Sequence, residues 1–264
     1  EALGVYGGGV RFVGLCSLPD DVIAHLAKAL GVEVSRVRAD WMGLNHLGYL
    51  TRFEVDGVDR LPEVVEMAAQ RSDDWLRSLG ILPASYLRYY YHHTEVVRQA
   101  LQPGHRTRAE VVKEMEAELW QAYADPTLDR KPGLLAKRGG GGYADVAFAA
   151  MLAIANDSGE RQVTQALNQG AIGGLPDDAS VEVSCTVDAR GAHPLPMGEL
   201  PLAVRGLVQA VKSYETLTVR AAVEGSRRLA MQAIMAHPLT PSYDVAAPLL
   251  DELLAANKRW IAWA

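Results

Sequence analysis

Hydrophobic periodicity changes in an irregular order along the 264 residues of this chain, and that order restricts the fold more than any other feature. A buried-strand pattern at residues 10–18 and alternating patterns at 44–57 and 179–198 are separated by helical patterns. The helical patterns cover 20–31, 61–80, 107–125, 143–157, 200–236 with a break near Gly225, and 245–264. Doubly wound folds alternate strand and helix regularly. We therefore expect an α+β fold, mostly helical, with a small mixed or antiparallel sheet in which 179–198 forms a hairpin or edge ribbon.

Composition and charge exclude several classes of partner. The chain is 49% hydrophobic, which is ample for a globular core, and 26 basic against 32 acidic residues give a net charge of -6. This balance offers no general attraction for nucleic acid or anionic lipid. No apolar run approaches the roughly 18 residues of a membrane helix, and the N-terminus has no targeting pattern. We expect a soluble cytoplasmic protein that binds neither nucleic acid nor membrane.

The two cysteines, Cys16 and Cys185, form no C-x-x-C pair and favour a reducing compartment. Each can be a small buried hydrophobic residue. The first nine residues read as a helix end and a glycine turn without a starting methionine, and this beginning is typical of a segment cut from a larger protein.

Four glycines, Gly139 to Gly142, stand directly before Tyr143 and an apolar helical pattern. Their spacing fits the G-x-G-x-x-G/A motif of dinucleotide folds, but that motif needs a preceding strand. Residues 124–138 are polar and interrupted by prolines, and no Gly-Lys-Ser/Thr follows, so a phosphate loop is disfavoured. The alternative is mechanical: the glycines leave Tyr143 in the first turn of a helix. There the helix dipole and a nearby cation can lower the pKa of a phenol that acts as a general base; an ordinary packed tyrosine fits the same pattern.

Cys16 ends the first strand pattern, and His46 lies thirty residues later, within the second strand pattern or at its exit. A thiolate with an imidazole suits a borderline divalent metal and leaves positions open for substrate oxygens. The spacing matches no known ligand motif, so a core histidine stays an alternative for His46. The other histidines form no H-E-x-x-H motif; they are His25, His92, His93, His105, His193 and His237.

Seven segments together resemble glycoside hydrolase family 4, specifically its NAD- and metal-dependent 6-phospho-β-glucosidases. They occur in the family's order and span nearly the whole chain: VGLCSLP, GLNHLGY, YLRYYY, KRGGGGYADVA, NQGAIGGLPDDASVEVSC, GELPLAVRGLVQAVKSYE and HPLTPSYDVA. The resemblance implies the C-terminal domain of the lactate/malate dehydrogenase-like family 4 glycosidases. It also implies an exception to the usual two-carboxylate glycosidase chemistry.

In this chemistry NAD accepts a hydride from the sugar C3, which acidifies the hydrogen on C2. A base removes that proton, the glycosidic oxygen leaves by elimination, water adds and the hydride returns. A divalent metal, usually manganese, holds the C2 and C3 oxygens. The resemblance assigns Cys16 and His46 as metal ligands and Tyr143 as the C2 base. It places Asn45 near the substrate; Asn168 is expected to line the same cleft, and YLRYYY to pack a helix interface.

The chain departs from the family pattern at three places. Relatives usually carry asparagine or aspartate where this chain has Ser17, and aspartate there can protonate the leaving oxygen, so water is expected to take that role here. Gly141 and Gly142 replace an alanine and an aromatic residue. The N-terminal NAD-binding domain has no counterpart in this sequence. We expect residues 1–264 to form one catalytic and oligomerising domain without NAD-binding residues of its own.

The resulting expectation is the C-terminal half of a 6-phospho-β-glucosidase that acts on a phosphorylated disaccharide or β-glucoside, with Mn²⁺ and NAD, as a homodimer or homotetramer. Other family specificities, α-glucosidase or galactosidase, stay open. So does a non-catalytic assembly module. A 2-hydroxy acid dehydrogenase's substrate domain is a distant alternative, because no histidine with an arginine and aspartate set for a carboxylate is located.

Overall fold

A computed structural model of the protein describes residues 12–71, 74–139, 141–261 and 263. The expected helix end and glycine turn of the first nine residues lie outside these ranges. The helices are α1 Leu18–Ala29, α2 Leu61–Arg71, α3 Trp75–Leu79, α4 Arg88–Tyr91, α5 His93–Ala100, α6 Arg108–Tyr123, α7 Leu135–Arg138, α8 Tyr143–Asn156, α9 Leu202–Glu224, α10 Arg227–Ala236 and α11 Tyr243–Asn257. The strands are β1 Val37–Leu44, β2 Leu47–Val55, β3 Val58–Asp59, β4 Leu82–Pro83, β5 Glu160–Leu167, β6 Ile172–Gly173, β7 Ser180–Asp188, β8 Gly191–Pro194 and β9 Gly198–Glu199.

Within the described ranges the main sheet has seven strands in the order β3-β2-β1-β7-β5, with β4 beside β2 and β8 beside β7. Every pairing in it is antiparallel, whereas the small β6–β9 pair is parallel. The α+β prediction is confirmed, and so is the hairpin expected at 179–198, which is formed by β7 and β8. His193 lies in β8, within this hairpin.

The β1–β2 hairpin reverses through a two-residue turn, Asn45 and His46, with Leu44 paired to Leu47. Gly48 is required in this hairpin because the indole of Trp41 lies against its backbone. A Cβ at Gly48 would come within 2.2 Å of the Trp41 Nε1 atom. The hairpin therefore buries Trp41 completely, and His46 lies at the tip of the turn, not inside a strand.

Two expected elements differ from the structure. The strand expected at 10–18 is reduced, in its described part, to one bridge in which Gly14 and Gln165 exchange backbone hydrogen bonds. The continuous helix expected at 61–80 is two helices, α2 and α3, and α3 ends at Gly80 with a left-handed φ of 71°. The other long helical patterns agree with the structure, and α6 begins at a capping box formed by Thr107 and Glu110.

The sheet has one hydrophobic cluster on each face, since successive side chains of a strand point to opposite sides. One cluster packs α9 against the sheet and includes Met42, Leu44, Tyr49, Val181, Val183, Cys185, Val204 and Val208. The other packs α1, α2 and α3 against the opposite face and includes Leu26, Trp41, Leu50, Phe53, Val64, Val65 and Leu76. Cys185 is a buried hydrophobic residue, as the sequence allowed. No helix in the described part of the chain is long and apolar enough to cross a membrane.

We predict that Val208→Ala lowers the free energy of unfolding by about 2 kcal/mol, because it removes two buried methyl groups and leaves a cavity under α9. Val208 is fully buried, whereas Leu202 on the same helix is 83% exposed. Leu202→Ala is the matched control and should change stability by less than about 0.5 kcal/mol. Urea denaturation followed by circular dichroism measures both, and equal losses would contradict the placement of α9.

Candidate active site

The residues predicted to carry the chemistry meet at one cavity of about 400 Å³ at the edge of the sheet. Four separate segments contribute to it: the start of α1, the β1–β2 turn, the segment after β4, and the start of α8. The lining residues are Cys16, Ser17, Leu18, Asp21, His46, Ser85, Tyr86, Gly141 and Tyr143. The thiol, the imidazole and the phenol therefore share a space large enough for a sugar, although more than a hundred residues separate the first from the last.

His46 occupies the second position of the hairpin turn with a left-handed φ of 63°. Histidine adopts this conformation at a cost, so the surrounding structure has to hold the turn. Its ring stacks on Tyr86, with centroids 4.2 Å apart and an interplanar angle of 26°. The expectation that YLRYYY only packs a helix interface is therefore wrong for Tyr86, which lines the cavity. It is right for Tyr91, which stacks on Trp75 at 4.2 Å.

Cys16 precedes Ser17, the residue at the N-terminal cap of α1, and only 5% of it is exposed. Burial raises the pKa of its thiol, and the nearby carboxylate of Glu182 adds to the rise. Hydrogen bonds from the backbone of Leu18 and from the side chains of Asn45 and Tyr143 act in the opposite direction and favour the thiolate. The thiol is thus a buried group at a helix N-terminus, surrounded by donors.

Tyr143 is the first residue of α8, as the sequence predicted, and Gly142 caps the helix with a left-handed φ of 83°. A Cβ at Gly142 would lie 3.2 Å from the Cβ of Ser17, so glycine allows the start of α8 to approach the start of α1. This approach brings the phenol to the thiol of Cys16. The charge of Cys16, followed by burial and their hydrogen bond, raises the pKa of Tyr143. The sequence analysis expected a lowered pKa for Tyr143. The protein's own groups raise it instead, because the nearest ionisable neighbour, the Cys16 thiol, is an acid.

Glu182 lies beneath this cluster and was missed in the sequence. It is 1% exposed and accepts hydrogen bonds of 3.0 Å from Trp41 Nε1, Asn45 Nδ2 and Gln165 Nε2. Burial raises the pKa of its carboxyl, while these three donors lower it. The available signal was a charged residue between two valines, Val181 and Val183, on a strand expected from the sequence. Its burial and its three donors are known only from the fold.

Asn168 lies away from this cavity. It is fully buried, and its amide nitrogen donates to the carbonyl oxygens of Ile172 and Leu175 at 3.0 and 3.1 Å. Its amide oxygen accepts a hydrogen bond of 2.8 Å from the backbone N–H of Ile172. Both polar atoms of the Asn168 side chain are thus bonded within the segment between β5 and β7. Asn168 is therefore not part of the candidate site.

Cys16 and His46 offer the sulfur and nitrogen donors of the cavity, which suit a borderline divalent metal, and the carboxylate of Asp21 lines the same cavity. In residues 12–71, 74–139, 141–261 and 263 there is no group of three or more His, Cys, Asp or Glu side chains placed to hold a metal ion. A metal held by Cys16 and His46 would have further positions open for substrate oxygens or water. The negative charge of Glu182 beneath the cavity also favours a cation.

A second cavity, of about 540 Å³, adjoins the first and shares Asp21 and Ser85 with it. Buried apolar side chains, Leu26, Leu76, Leu82 and Ala84, form much of its wall. Trp75, His25, Arg88 and His92 are also part of the lining, and the Trp75 indole donates to His92 at 3.2 Å. The two cavities together present a polar reaction space beside a mainly apolar one.

A family model described as the C-terminal domain of family 4 glycosyl hydrolases matches residues 41–240, which include His46 and Tyr143. The chain belongs to glycosyl hydrolase family 4. This membership sets aside the 2-hydroxy acid dehydrogenase alternative. Cys16 precedes the matched range, so its place in the site rests on the cavity geometry.

The proteins similar to this chain include both 6-phospho-β-glucosidases and 6-phospho-α-glucosidases. The chain is 39% identical to a probable 6-phospho-β-glucosidase of Bacillus subtilis, over 99% of this chain and 63% of that one. The solved 6-phospho-β-glucosidase of Thermotoga maritima with manganese, NAD⁺ and glucose-6-phosphate has a TM-score of 0.88 at 30% identity, covering 98% of this chain and 63% of that one. A 6-phospho-α-glucosidase from gut microorganisms, solved with NAD and glucose-6-phosphate, has a TM-score of 0.82 at 26% identity, covering 98% and 63%. The chain thus spans less than two thirds of the length of these relatives.

Asp20, in the first turn of α1, generates a prediction about pH and stability. Burial raises the pKa of its carboxyl from 3.8 to about 6, and the charges of Asp21 and Glu182 contribute. A raised pKa in the folded state means that ionisation of Asp20 disfavours folding, so the contribution of Asp20 to stability should fall as the pH rises from about 4 to about 6. Asp20→Asn should remove this fall and make the protein more stable at pH 7 by about 1 to 2 kcal/mol.

Urea denaturation from about pH 3 to pH 7 measures this effect, and the two proteins should converge at the acidic end. Asp178→Asn, at an exposed aspartate in the turn before β7, is the control and should retain the wild-type pH dependence. An Asp20→Asn protein with the same slope as wild type would contradict the assignment.

Proposed function

We propose that this chain is the catalytic domain of an NAD- and divalent-metal-dependent glycosidase that cleaves 6-phospho-β-glucosides. The observation that supports the proposal most is the convergence of Cys16, His46 and Tyr143 on one cavity. The 39% identity to the Bacillus subtilis enzyme, against 26% to the α-specific structure, favours the β-linkage. NAD binding is assigned to the part of those relatives that this chain does not span.

The residues of the cavity fit a divalent metal. Cys16 and His46 would hold it, leaving coordination positions for two neighbouring sugar hydroxyls. When bound, the metal would polarise the C2 and C3 oxygens of the sugar, and NAD would accept and return the C3 hydride. Metal binding favours the thiolate form of Cys16, which the donors around its sulfur also stabilise.

The chain's own groups orient the sugar and move one proton. Tyr143 would first lose its own phenolic proton to solvent, which a cation bound at Cys16 and His46 and the N-terminus of α8 would favour. The phenolate oxygen would then take the proton from C2 and become a phenol again. Asn45, fixed at the hairpin tip, contacts a sugar hydroxyl. Tyr86 supports the imidazole ring of His46 by stacking, so the ligand keeps its direction when substrate enters.

The self-association expected from the sequence is part of the proposal. Side chains on α8 and α11 leave large apolar surface exposed, including Phe148, Met151, Leu152, Leu249 and Leu253. Apolar surface of this kind is characteristic of surfaces that become covered in an assembly. A purely assembling module would use these helices without needing the chemistry at the cavity.

We predict that Tyr143→Phe in the full-length protein keeps Mn²⁺ affinity within about twofold but slows exchange of the substrate C2 hydrogen with solvent. Removal of a general base costs roughly 10²- to 10⁴-fold in rate. Proton NMR in deuterated buffer measures exchange, and the electron paramagnetic resonance of free Mn²⁺ measures affinity.

Cys16→Ala is the contrasting variant and should lose Mn²⁺ binding. Unchanged exchange in Tyr143→Phe would remove the phenol from the mechanism. Wild-type Mn²⁺ affinity in Cys16→Ala would remove Cys16 from the proposed metal site, and a lack of Mn²⁺ binding by the wild-type protein would favour the assembly module.

We infer that the apolar cavity beside the catalytic one receives the leaving group of the substrate. The two cavities share Asp21 and Ser85, so a group attached to the sugar C1 can extend from one into the other. A wall of leucine, alanine and tryptophan side chains suits an aromatic or otherwise apolar aglycone. The polar groups at the rim, His25 and Arg88, remain available to solvent or to a polar substituent.

His25→Trp should crowd this cavity and raise KM for an aryl 6-phospho-β-glucoside about tenfold, equivalent to about 1.4 kcal/mol of lost contact. KM for the methyl glycoside, whose aglycone is too small to reach the cavity, should stay within about twofold. Steady-state kinetics on the two substrates provides the comparison. Lys28→Trp is the control, since Lys28 is also exposed on α1 but does not line the cavity. Equal effects on both substrates would place the leaving group elsewhere.

A further inference from the structure

Glu182 occupies an unusual position for a carboxylate. It lies in the middle of β7, where its backbone pairs with Gly43 on one side and Gln165 on the other. Its neighbours along the strand, Val181 and Val183, are fully buried core residues. Burial of an ionised carboxylate carries a large desolvation cost, and an apolar side chain would satisfy the packing of the sheet. The presence of a glutamate here requires another explanation.

The hydrogen bonds of Glu182 show what the carboxylate does. One oxygen accepts from Asn45 and Gln165, and the other accepts from Trp41, each at 3.0 Å. All three partners are N–H donors, so both oxygens act only as acceptors, as an ionised carboxylate does. An amide in the same place would turn its own NH₂ group toward one of these donors. The arrangement therefore requires a carboxylate and not merely a polar side chain.

The three donors come from β1, from the β1–β2 turn and from β5, so Glu182 ties the turn to the sheet from below. The turn needs this restraint because His46 holds a left-handed φ of 63° at an exposed hairpin tip. Asn45, the other turn residue, is bonded directly to Glu182. The carboxylate also acts electrostatically on Cys16, Tyr143 and His46, which surround the cavity above it.

We propose that Glu182 is a positioning residue that holds the Asn45–His46 turn in its binding geometry and, through its negative charge, strengthens cation binding between Cys16 and His46. This inference rests on the proposed function. Residues that hydrogen-bond or orient metal ligands typically change metal affinity by 10- to 100-fold when they are removed. Glu182 acts by holding the Asn45–His46 turn and by its negative charge, and it does not contact the substrate.

The test is Mn²⁺ binding to full-length Glu182→Gln, measured by the electron paramagnetic resonance of free Mn²⁺. Glutamine keeps the size of the side chain but removes the charge and mismatches one donor. We expect Kd for Mn²⁺ to rise at least tenfold. The manganese hyperfine spectrum of the bound ion should also broaden, because a loosely held turn allows more than one ligand geometry.

Ser184→Ala is the matched control for a merely structural effect. Ser184 lies on the same strand, is equally buried, and accepts a 3.0 Å hydrogen bond from the backbone N–H of Trp41, but it does not contact the turn. Its removal should lower thermal stability and leave Kd for Mn²⁺ within twofold of wild type. Equal weakening of Mn²⁺ binding in both variants would overturn the proposal, as would wild-type affinity in a folded Glu182→Gln protein.

Glu182→Asp keeps the test decisive if the glutamine variant does not fold. Aspartate retains the charge but is one methylene shorter, so it cannot reach Asn45 and Trp41 together. We expect an intermediate loss of about threefold to fivefold, and unchanged affinity in this variant would contradict the positioning role. Failure of the wild-type protein to bind Mn²⁺ would contradict the proposed function itself, which is a separate result.

Discussion

The short pairing between β1 and β7 is the constraint on which the site depends. It consists of two residue pairs, Met42 with Val183 and Gly43 with Glu182, and it joins segments about 140 residues apart in sequence. Through it the β1–β2 hairpin stands beside β7, so that the hairpin tip reaches the cavity at the edge of the sheet. Ser184 and Glu182 reinforce the junction by accepting hydrogen bonds from the backbone and the indole of Trp41. Without this junction, His46 would be an exposed turn residue with no relation to Cys16.

The electrostatics of the cavity follow from which segments converge there. Two helix N-termini, those of α1 and α8, meet where Gly142 lies against Ser17. Cys16 and Tyr143 lie at these two N-termini, which carry the positive ends of the helix dipoles. The negative charge of Glu182, beneath the cavity, acts against the positive charge of these helix ends. Burial is the main cause of the raised pKa of the Cys16 thiol and of the Glu182 carboxyl, whereas the charge of Cys16 is the main cause for the Tyr143 phenol. A divalent cation at the thiol and imidazole would act in the opposite direction on all three groups.

Local patterns in the sequence predicted those parts of the fold that local forces decide. The helical periods of α6 and α8 and the alternation of β7 and β8 are examples, and the glycines before Tyr143 correctly predicted a helix start. The strand expected around Cys16 was wrong because pairing depends on a partner strand, and the structure offers only the Gly14–Gln165 bridge in the described part. Cys16 and His46 were identified by resemblance to a family, since their spacing forms no ligand motif. Glu182 and Tyr86 were missed because their roles come from contacts across the fold, which leave no periodic signal.

The division of the site into two cavities bears on how one fold serves enzymes of both anomeric specificities. The β-specific and α-specific structures resemble this chain with TM-scores of 0.88 and 0.82, so the fold itself does not distinguish the two linkages. Under the proposed chemistry, the metal ligands and Tyr143 act at C2 and C3, whose configuration is the same in both kinds of glucoside. Only the direction of the leaving group at C1 differs. Under the proposed placement of the leaving group, discrimination comes from the walls that this group would meet, which are Asp21, Ser85 and the apolar cavity beyond them.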